Sequence, residues 1–574
     1  MIFACTSESN EGVDDFMSRT IGIGIQNFEA LIRNDYFYID KTDFIKEWWQ
    51  SGDSVTLITR PRRFGKTLNI NMLERFFSLK YAKGGEIFSG LSIWKDEKYH
   101  KLQGTFPVIS LSFATIKEKN FELTRKKICQ LIADLYNEFY FIRDSDRLTT
   151  LDVQKFDKIS ADMGDTEATL ALYHLSDMLY RYYGKKVIIL LDEYDTPMQE
   201  AYVDGYWEEL VAFTRSLFNA TFKTNPWLER GMMTGITRVS KDSIFSDLNN
   251  LEVVTTTSDK YADAFGFTQG EVYEVLDEYG LEDRKEEVKH WYDGFIFGDT
   301  KDIYNPWSIL NYLDTGKIRT YWANTSSNSL VGKLIREGNR EIKKEFENLM
   351  NGGTLITTID EQIVYSQLDD NQDAIWSLML ASGYLKVTDV KDKISRYELV
   401  ITNYEVHRMF EGMISGWFGG KSKADYNDFI KALLLDDIDA MNEYMNRVSA
   451  YTFSSFDVDN KPSEKEPERF YHGFVLGLMV DLEGRYVIKS NRESGFGRYD
   501  VMLKPKDQTQ DDAILMEFKV YNPRREKCLE DTVKAALAQI DEKKYAAELI
   551  AEGISPEHIR KYGFAFKGKE VLIG

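Results

Sequence analysis

Gly65-Lys66-Thr67 is the tripeptide richest in chemistry. It follows a short apolar run at 55–58, which reads as a buried strand. It opens a segment with apolar residues at Leu68, Met72, Leu73 and Phe76, a spacing that suits a helix. In a strand–loop–helix unit the loop N–H groups and the helix N-terminus present positive potential to an anion. A lysine there reaches the β/γ-phosphates of a nucleotide, and the threonine hydroxyl coordinates Mg²⁺. The loop 60–67 reads RPRRFGKT, so Arg60 stands where the usual pattern has glycine. Arg60, Arg62 and Arg63 make it strongly cationic, as suits a polyphosphate. The expected nucleotide contacts are Arg60, Arg62, Arg63, Phe64, Gly65, Lys66 and Thr67. Taken alone, the tripeptide is also compatible with an ordinary helix start.

A partner motif lies at 185–197, KKVIILLDEYDTP. Its apolar run at 187–191 reads as a central parallel strand ending in Asp192-Glu193. An acid at such a strand end holds Mg²⁺ in P-loop NTPases, and a neighbouring glutamate orients or deprotonates water. Asp192 is therefore expected at the metal with Thr67, and Glu193 at the water; Asp195 is a second candidate for either role. By itself the motif would equally describe a strand ending in a solvated acidic turn.

The last fifth of the chain carries a second constellation. Asp500 starts an apolar strand, and the strand at 513–520, AILMEFKV, carries Glu517 and Lys519. Residues two apart on a strand share a face, so Glu517 and Lys519 point one way and Phe518 the other. If the two strands pair, Asp500 joins them. Two carboxylates then make a Mg²⁺ site beside a lysine that can hold or activate water, the chemistry of metal-assisted phosphodiester hydrolysis. A following helix, 531–547, can bring Gln539 near. Alone, D…E-x-K also describes a solvated strand face with a cross-strand ion pair. The apolar setting of the E-x-K, where charge is costly, and the Gly-Phe-Gly-Arg turn at 495–498 favour a site.

The elements that must position these residues fill a chain of 574 residues with a formal charge of −21, long enough for two to four domains. That charge argues against electrostatic binding of nucleic acid by the whole chain. Residues 461–574 hold 20 Lys+Arg against 20 Asp+Glu, so the acid excess lies upstream. Cys5, Cys129 and Cys528 are scattered, with no disulfide or zinc framework, as expected in a reducing cytoplasm. Neither a signal peptide nor a transmembrane run is read, so no membrane partner is expected. The expected division is a flexible N-terminus at 1–20, a P-loop domain at 21–257 and a helical lid region at 258–325. A helical, winged-helix-like region follows at 326–457, and a small α/β domain at 458–574, entered through the charged linker 460–468. The expected strands of the first sheet are 55–59, 108–112, 187–191 and 231–236.

Two families are resembled. Residues from about 21 to 250, through FYIDKTDFI, LITRPRRFGKTLNINMLERFF, VIILLDEYDTP and MTGITRVSKDSIFSDLNNL, resemble the AAA-ATPase-like family, in which an RPRRFGKT loop is typical. The C-terminal stretches ERFYHGFVLGLM, ESGFGRYDVML, AILMEFKV and ALAQIDEKKYA are similar to a PD-(D/E)XK nuclease-superfamily domain, though Tyr499 replaces the proline before Asp500. The first resemblance implies a sensor-like strand, with Thr234 and Arg238 near the γ-phosphate. The second implies Asp500 and Glu517 as metal ligands, Lys519 as catalytic lysine and Gln539 as an accessory residue in a restriction-endonuclease-like α/β fold. The resulting expectation is a bacterial ATPase using ATP and Mg²⁺ whose nucleotide cycle controls a metal-dependent nuclease. DNA or RNA would bind through the C-terminal or winged-helix-like region, and homo-oligomers are compatible. The competing expectation is a nucleotide-dependent switch or scaffold whose nuclease fold only binds.

Overall fold

The computed structural model describes residues 19–574 apart from 239–244, 246–247, 323–330, 333, 336–339, 361–373, 392–395, 419–422, 453–474, 476–478, 480–481, 483–484, 491–492, 495–496, 499, 509–510 and 568–569. Most of the expected N-terminal segment, the 460–468 linker, Gly495, Phe496 and Tyr499 lie outside the described residues. The chain divides into two compact units, Met1–His407 and Arg408–Gly574. The helical middle region expected at 326–457 is thus shared between the two.

The first unit is built on a five-stranded parallel sheet: β1 Val55–Thr59, β2 Val108–Ser112, β3 Val187–Asp192, β4 Leu228–Gly235 and β5 Leu251–Val254, in spatial order β2-β3-β4-β1-β5. All five residues of β1 and all six of β3 are buried, which is why 187–191 is an unbroken apolar run and 55–59, VTLIT, carries nothing more polar than threonine. Each fully buried Leu or Ile of β3 contributes about 1.5–3 kcal/mol relative to exposure. Parallel strands end at the same edge, so the loops after β1, β3 and β4 all open onto one edge of the sheet.

The segment expected as a helical lid is not wholly helical. β6 Phe267–Thr268, β7 Asp293–Phe297 and β8 Thr300–Tyr304 form a small antiparallel sheet in the order β6-β8-β7. Phe295 and Phe297 alternate inward along β7, and Gly298, at φ 55°, makes the turn into β8 that a side chain would strain. Further on, within the region read as winged-helix-like, the helix Ala374–Ala381 leads into β10 Leu385–Val390 and β11 Arg396–Ile401; β9 Leu355–Thr358 adds the third strand, on the far side of β11.

The second unit contains β12 Tyr486–Ser490, a short ladder of β13 Glu493–Ser494 with β14 Gly497–Arg498, then β15 Val501–Pro505, β16 Ala513–Val520, β17 Ile559–Lys567 and β18 Glu570–Ile573. The main sheet runs β12-β15-β16-β17-β18, with β16 and β17 parallel. β16 is buried on both faces. Ile514, Met516 and Phe518 enter a core with Phe429, Leu433 and Met441. Ala513 and Leu515 face Ile540 and Tyr545, so the face that continues to Glu517 and Lys519 is the one covered by the helix Leu529–Glu542. Among the described residues no helix is long and apolar enough to cross a membrane.

Candidate nucleotide and metal sites

The loop after β1 turns into the helix Lys66–Phe77 through two residues of positive φ, Arg63 at 66° and Gly65 at 81°. Glycine accepts that conformation without strain, and it lets the loop curl over the helix N-terminus. Inside the curl the Lys66 amine donates to the carbonyls of Arg60 and Pro61, each at 2.9 Å. Burial lowers the pKa of this amine, against the pull of Glu193, Asp195 and Asp192.

Asp192, at the end of β3, is 2% exposed and gathers three hydroxyls. Thr67 donates to Oδ2 at 2.8 Å, Thr234 to Oδ1 at 2.6 Å and Ser112 to Oδ2 at 3.4 Å. These residues come from the ends of β2 and β4, the two strands that flank β3 in the sheet, and from the start of the loop helix. β4 lies between β1 and β3, so Thr234 bridges the gap between the loop strand and the acid strand. Burial raises the Asp192 pKa, while the hydroxyls of Thr234 and Thr67 pull it down. Ser112 carried no signal that sequence reasoning used, since a serine at a strand end is common.

Glu193 follows at a positive φ of 50°, unusual for glutamate. Its N–H donates to Thr234 Oγ1 at 3.3 Å, and its carboxylate accepts the Thr196 hydroxyl at 3.1 Å. Asp195 is used differently. Its Oδ2 accepts the N–H groups of Ile236 and Thr237 and the Thr237 hydroxyl at 2.8–3.0 Å. It thereby holds the turn after β4, and burial raises its pKa. Of these two aspartates, Asp192 faces Thr67 and Asp195 secures backbone. Arg238 follows β4 by three residues and is partly buried.

In two of the expected nucleotide contacts, Arg60 and Phe64, the side chain is engaged within the fold. Arg60 is fully buried; its guanidinium donates to the carbonyls of Thr59 at 3.0 Å and Thr255 at 2.5 Å and lies 4.5 Å from the Phe297 ring centroid. Burial lowers its pKa to about 9, so it stays charged near neutrality while pinning the segment after β5. Phe64 is also buried, 4.8 Å from Phe295 and 5.4 Å from Phe297, and anchors the loop on β7. A basic or aromatic residue in a cationic loop looks like a ligand contact until the partners that fold back over it are seen. Arg62 reaches Gln199 at 3.1 Å, and Arg63 is exposed, 4.4 Å from the Trp307 ring centroid.

In the second unit the register decides the site. Val501 pairs with Met516, and continuing that ladder sets Asp500 across from Glu517. Asp500 Oδ2 accepts the Phe518 N–H at 2.8 Å. Glu517 is 3% exposed. Gln539 joins the pair: its amide N–H₂ donates to Glu517 and, at 3.0 Å, to the Tyr545 hydroxyl, while its oxygen accepts from the Lys519 amine at 2.6 Å. Burial raises the Tyr545 pKa, with Glu517 and Asp500 adding to the effect. Asp500, Glu517, Lys519 and Gln539 are thus brought together. Tyr545 was missed, although it lies six residues beyond Gln539 in the stretch ALAQIDEKKYA.

Among the described residues no cluster of three or more His, Cys, Asp or Glu is gathered as a metal cage. The donor sets still suit Mg²⁺, which keeps several waters and takes one or two carboxylates: a hydroxyl and a carboxylate at Thr67–Asp192, two carboxylates at Asp500–Glu517.

Comparison with known proteins finds a family match over each of the two regions. Residues 22–245 match the family model described as a predicted AAA-ATPase, and residues 466–574 match that of the PD-(D/E)XK nuclease superfamily. An uncharacterised protein of the vnfD 5′ region of Azotobacter chroococcum mcd 1 is 27% identical over 401 residues, 68% of this chain and 69% of that protein. A solved structure of a signal transduction ATPase with numerous domains and a tetratricopeptide repeat sensor, from Pyrococcus horikoshii, is 13% identical with a TM-score of 0.24. The match covers 78% of this chain and 54% of that one, so this chain spans about half the length of that structure. Residues 22–245 form an AAA-ATPase-like domain, and residues 466–574 form a domain of the PD-(D/E)XK nuclease superfamily.

Proposed function

We propose that the first unit binds and hydrolyses ATP with Mg²⁺, and that its nucleotide cycle controls metal-dependent cleavage of nucleic acid by the C-terminal domain. The observation that carries the ATPase half is the 2.8 Å bond from Thr67 to Asp192 beside the curled loop. The observation that carries the nuclease half is Asp500 set across from Glu517, with Lys519 on the same face.

In the nucleotide site Lys66 exchanges the carbonyls of Arg60 and Pro61 for phosphate oxygens. Thr67 and Asp192 hold Mg²⁺, which when bound neutralises charge developing on the phosphates. Glu193 orients or deprotonates the attacking water, and Thr234 keeps Asp192 and the Glu193 backbone in place. Arg238 follows Thr234 as a candidate for stabilising charge in the transfer. In the C-terminal site Asp500 and Glu517 hold the divalent ion, and Lys519, oriented by Gln539, holds the water that attacks the phosphodiester. Three scattered cysteines, with Cys129 a buried thiol, fit a reducing compartment such as the cytoplasm of a bacterium.

The test is nucleotide binding and Mg²⁺-dependent ATP hydrolysis by the full chain, followed by cleavage of labelled single- and double-stranded DNA and RNA with and without ATP. The proposal expects both activities; nucleotide turnover without any cleavage would leave a nucleotide-driven switch.

A further inference from the structure

The carbonyl of Arg62, in the middle of the nucleotide loop, accepts two hydrogen bonds from other segments: Asn305 Nδ2 at 3.2 Å and Trp322 Nε1 at 2.9 Å. Both donors lead to one side chain. The Trp322 backbone N–H donates to Glu405 Oε1 at 2.7 Å. The Ser308 hydroxyl, on the helix Pro306–Thr315 that Asn305 caps, donates to Glu405 Oε2 at 2.8 Å. Glu405 and Ser308 are fully buried, Asn305 is 1% exposed and Trp322 3%. A carboxylate is costly to bury unless its hydrogen bonds are made, and breaking them is correspondingly expensive.

Glu405 takes no part in the chemistry above. It is the second residue of the helix Tyr404–Phe418, whose start is fixed by Asn403 Oδ1 accepting the Val406 N–H at 3.0 Å. A ring path runs beside the hydrogen bonds. Trp322 lies 5.4 Å from Phe295, and Phe295 lies 4.8 Å from Phe64 of the loop.

We propose that Glu405 and Trp322 are positioning residues for the nucleotide loop, and that nucleotide binding is felt through them at the start of the helix Tyr404–Phe418. The inference rests on the reading of 60–67 as a nucleotide site. The Lys66 amine is tied to the carbonyls of Arg60 and Pro61 and must leave them to meet a phosphate. Arg62, whose carbonyl is the anchored one, comes next in the chain. A rearrangement at 60–61 therefore acts directly on the donors Asn305 and Trp322, and through Ser308 and the Trp322 N–H on Glu405. The element with two arrangements is the loop, and both the nucleotide and Glu405 bias it.

The test uses the full chain as wild type, Trp322→Phe, Glu405→Gln and Ser308→Ala. Calorimetry measures ADP binding, and amide hydrogen exchange over 404–410 is followed with and without ADP. In the wild type ADP should change exchange there by about threefold or more. Trp322→Phe keeps a ring and loses the Nε1 donor. It should bind ADP within roughly tenfold of wild type, the worth of one buried hydrogen bond, and should lose the ADP effect on 404–410. Glu405→Gln should lose it as well, and Ser308→Ala, which spares the Trp322 bonds, should weaken it. Should Trp322→Phe fail to fold, the other two variants carry the test. ADP binding that leaves wild-type exchange at 404–410 unchanged would overturn the inference, as would an undiminished effect in Trp322→Phe and Glu405→Gln. Failure of the wild type to bind ADP would instead overturn the nucleotide-site reading, and this inference with it.

Discussion

The hydroxyl of Thr67 donates to the carboxylate of Asp192 at 2.8 Å across 125 positions of sequence. One residue opens the helix after the loop and the other ends a strand two places away in the sheet. Thr234, on the strand between them, bonds the second oxygen of the same carboxylate at 2.6 Å. A single acid is thus held by both halves of the site, and each half can be perturbed separately.

Lys66→Ala should weaken ATP binding by at least about tenfold and abolish measurable hydrolysis, because its amine lies inside the curl of the loop, on the Arg60 and Pro61 carbonyls. Glu193→Gln should bind ATP like the wild type and lose roughly 10²–10⁴ in turnover, as removal of a general base does. Equilibrium binding beside a phosphate-release assay separates the two outcomes.

Thr234→Val removes the hydroxyl that bonds Asp192 and accepts from the Glu193 N–H, with little change in shape. It should cost about 1–2 kcal/mol of stability and slow hydrolysis more than it weakens binding. Thermal melting and steady-state kinetics read both effects.

Arg60→Met keeps the apolar stem and removes the guanidinium that binds the Thr59 and Thr255 carbonyls. The expected result is a loss of about 1–3 kcal/mol in stability with ATP binding retained. If ATP binding vanished while the melting temperature held, Arg60 would be a phosphate ligand after all.

The four expected strands of the first sheet, the Asp192-Glu193 strand end and the E-x-K of β16 were legible because the signals were local. The short run at 55–58 and the unbroken apolar run at 187–191 read as buried strands, and the two-residue period placed Glu517 beside Lys519 without further information. The roles of Arg60 and Phe64 were not legible, since both are decided by Thr255 and by Phe295 and Phe297, far along the chain. The small sheet of β6, β7 and β8 was hidden for a related reason. Its strands are two to five residues long, and an aromatic-rich stretch of that length fits a helix equally well. Tyr545 needed the helix Leu529–Glu542 to end and turn before its hydroxyl could meet Gln539.

Asp293, on β7, provides a pH prediction. Burial and the neighbouring Asp302 push its pKa up to about 6, against the attraction of Lys289 and Lys386. A carboxyl with a raised folded-state pKa favours the folded protein most when protonated. That contribution is present below about pH 4 and is lost as pH rises through about 6. Melting temperature should therefore fall from about pH 5 to about pH 7.5 by less in Asp293→Asn than in the wild type. An equal fall in both proteins would show that Asp293 is not responsible.

The central claim joins an ATP site to a metal-dependent nuclease, and one assay addresses it most directly. Cleavage of labelled DNA and RNA is measured in Mg²⁺ or Mn²⁺, with and without ATP, for the wild type, Lys66→Ala and Lys519→Ala. The account predicts cleavage by the wild type that responds to ATP and loss of that response in Lys66→Ala. It also predicts no cleavage by Lys519→Ala, which should still hydrolyse ATP. Wild-type protein that hydrolyses ATP yet cuts none of the substrates under any of these conditions would contradict it, as would unchanged cleavage by Lys519→Ala.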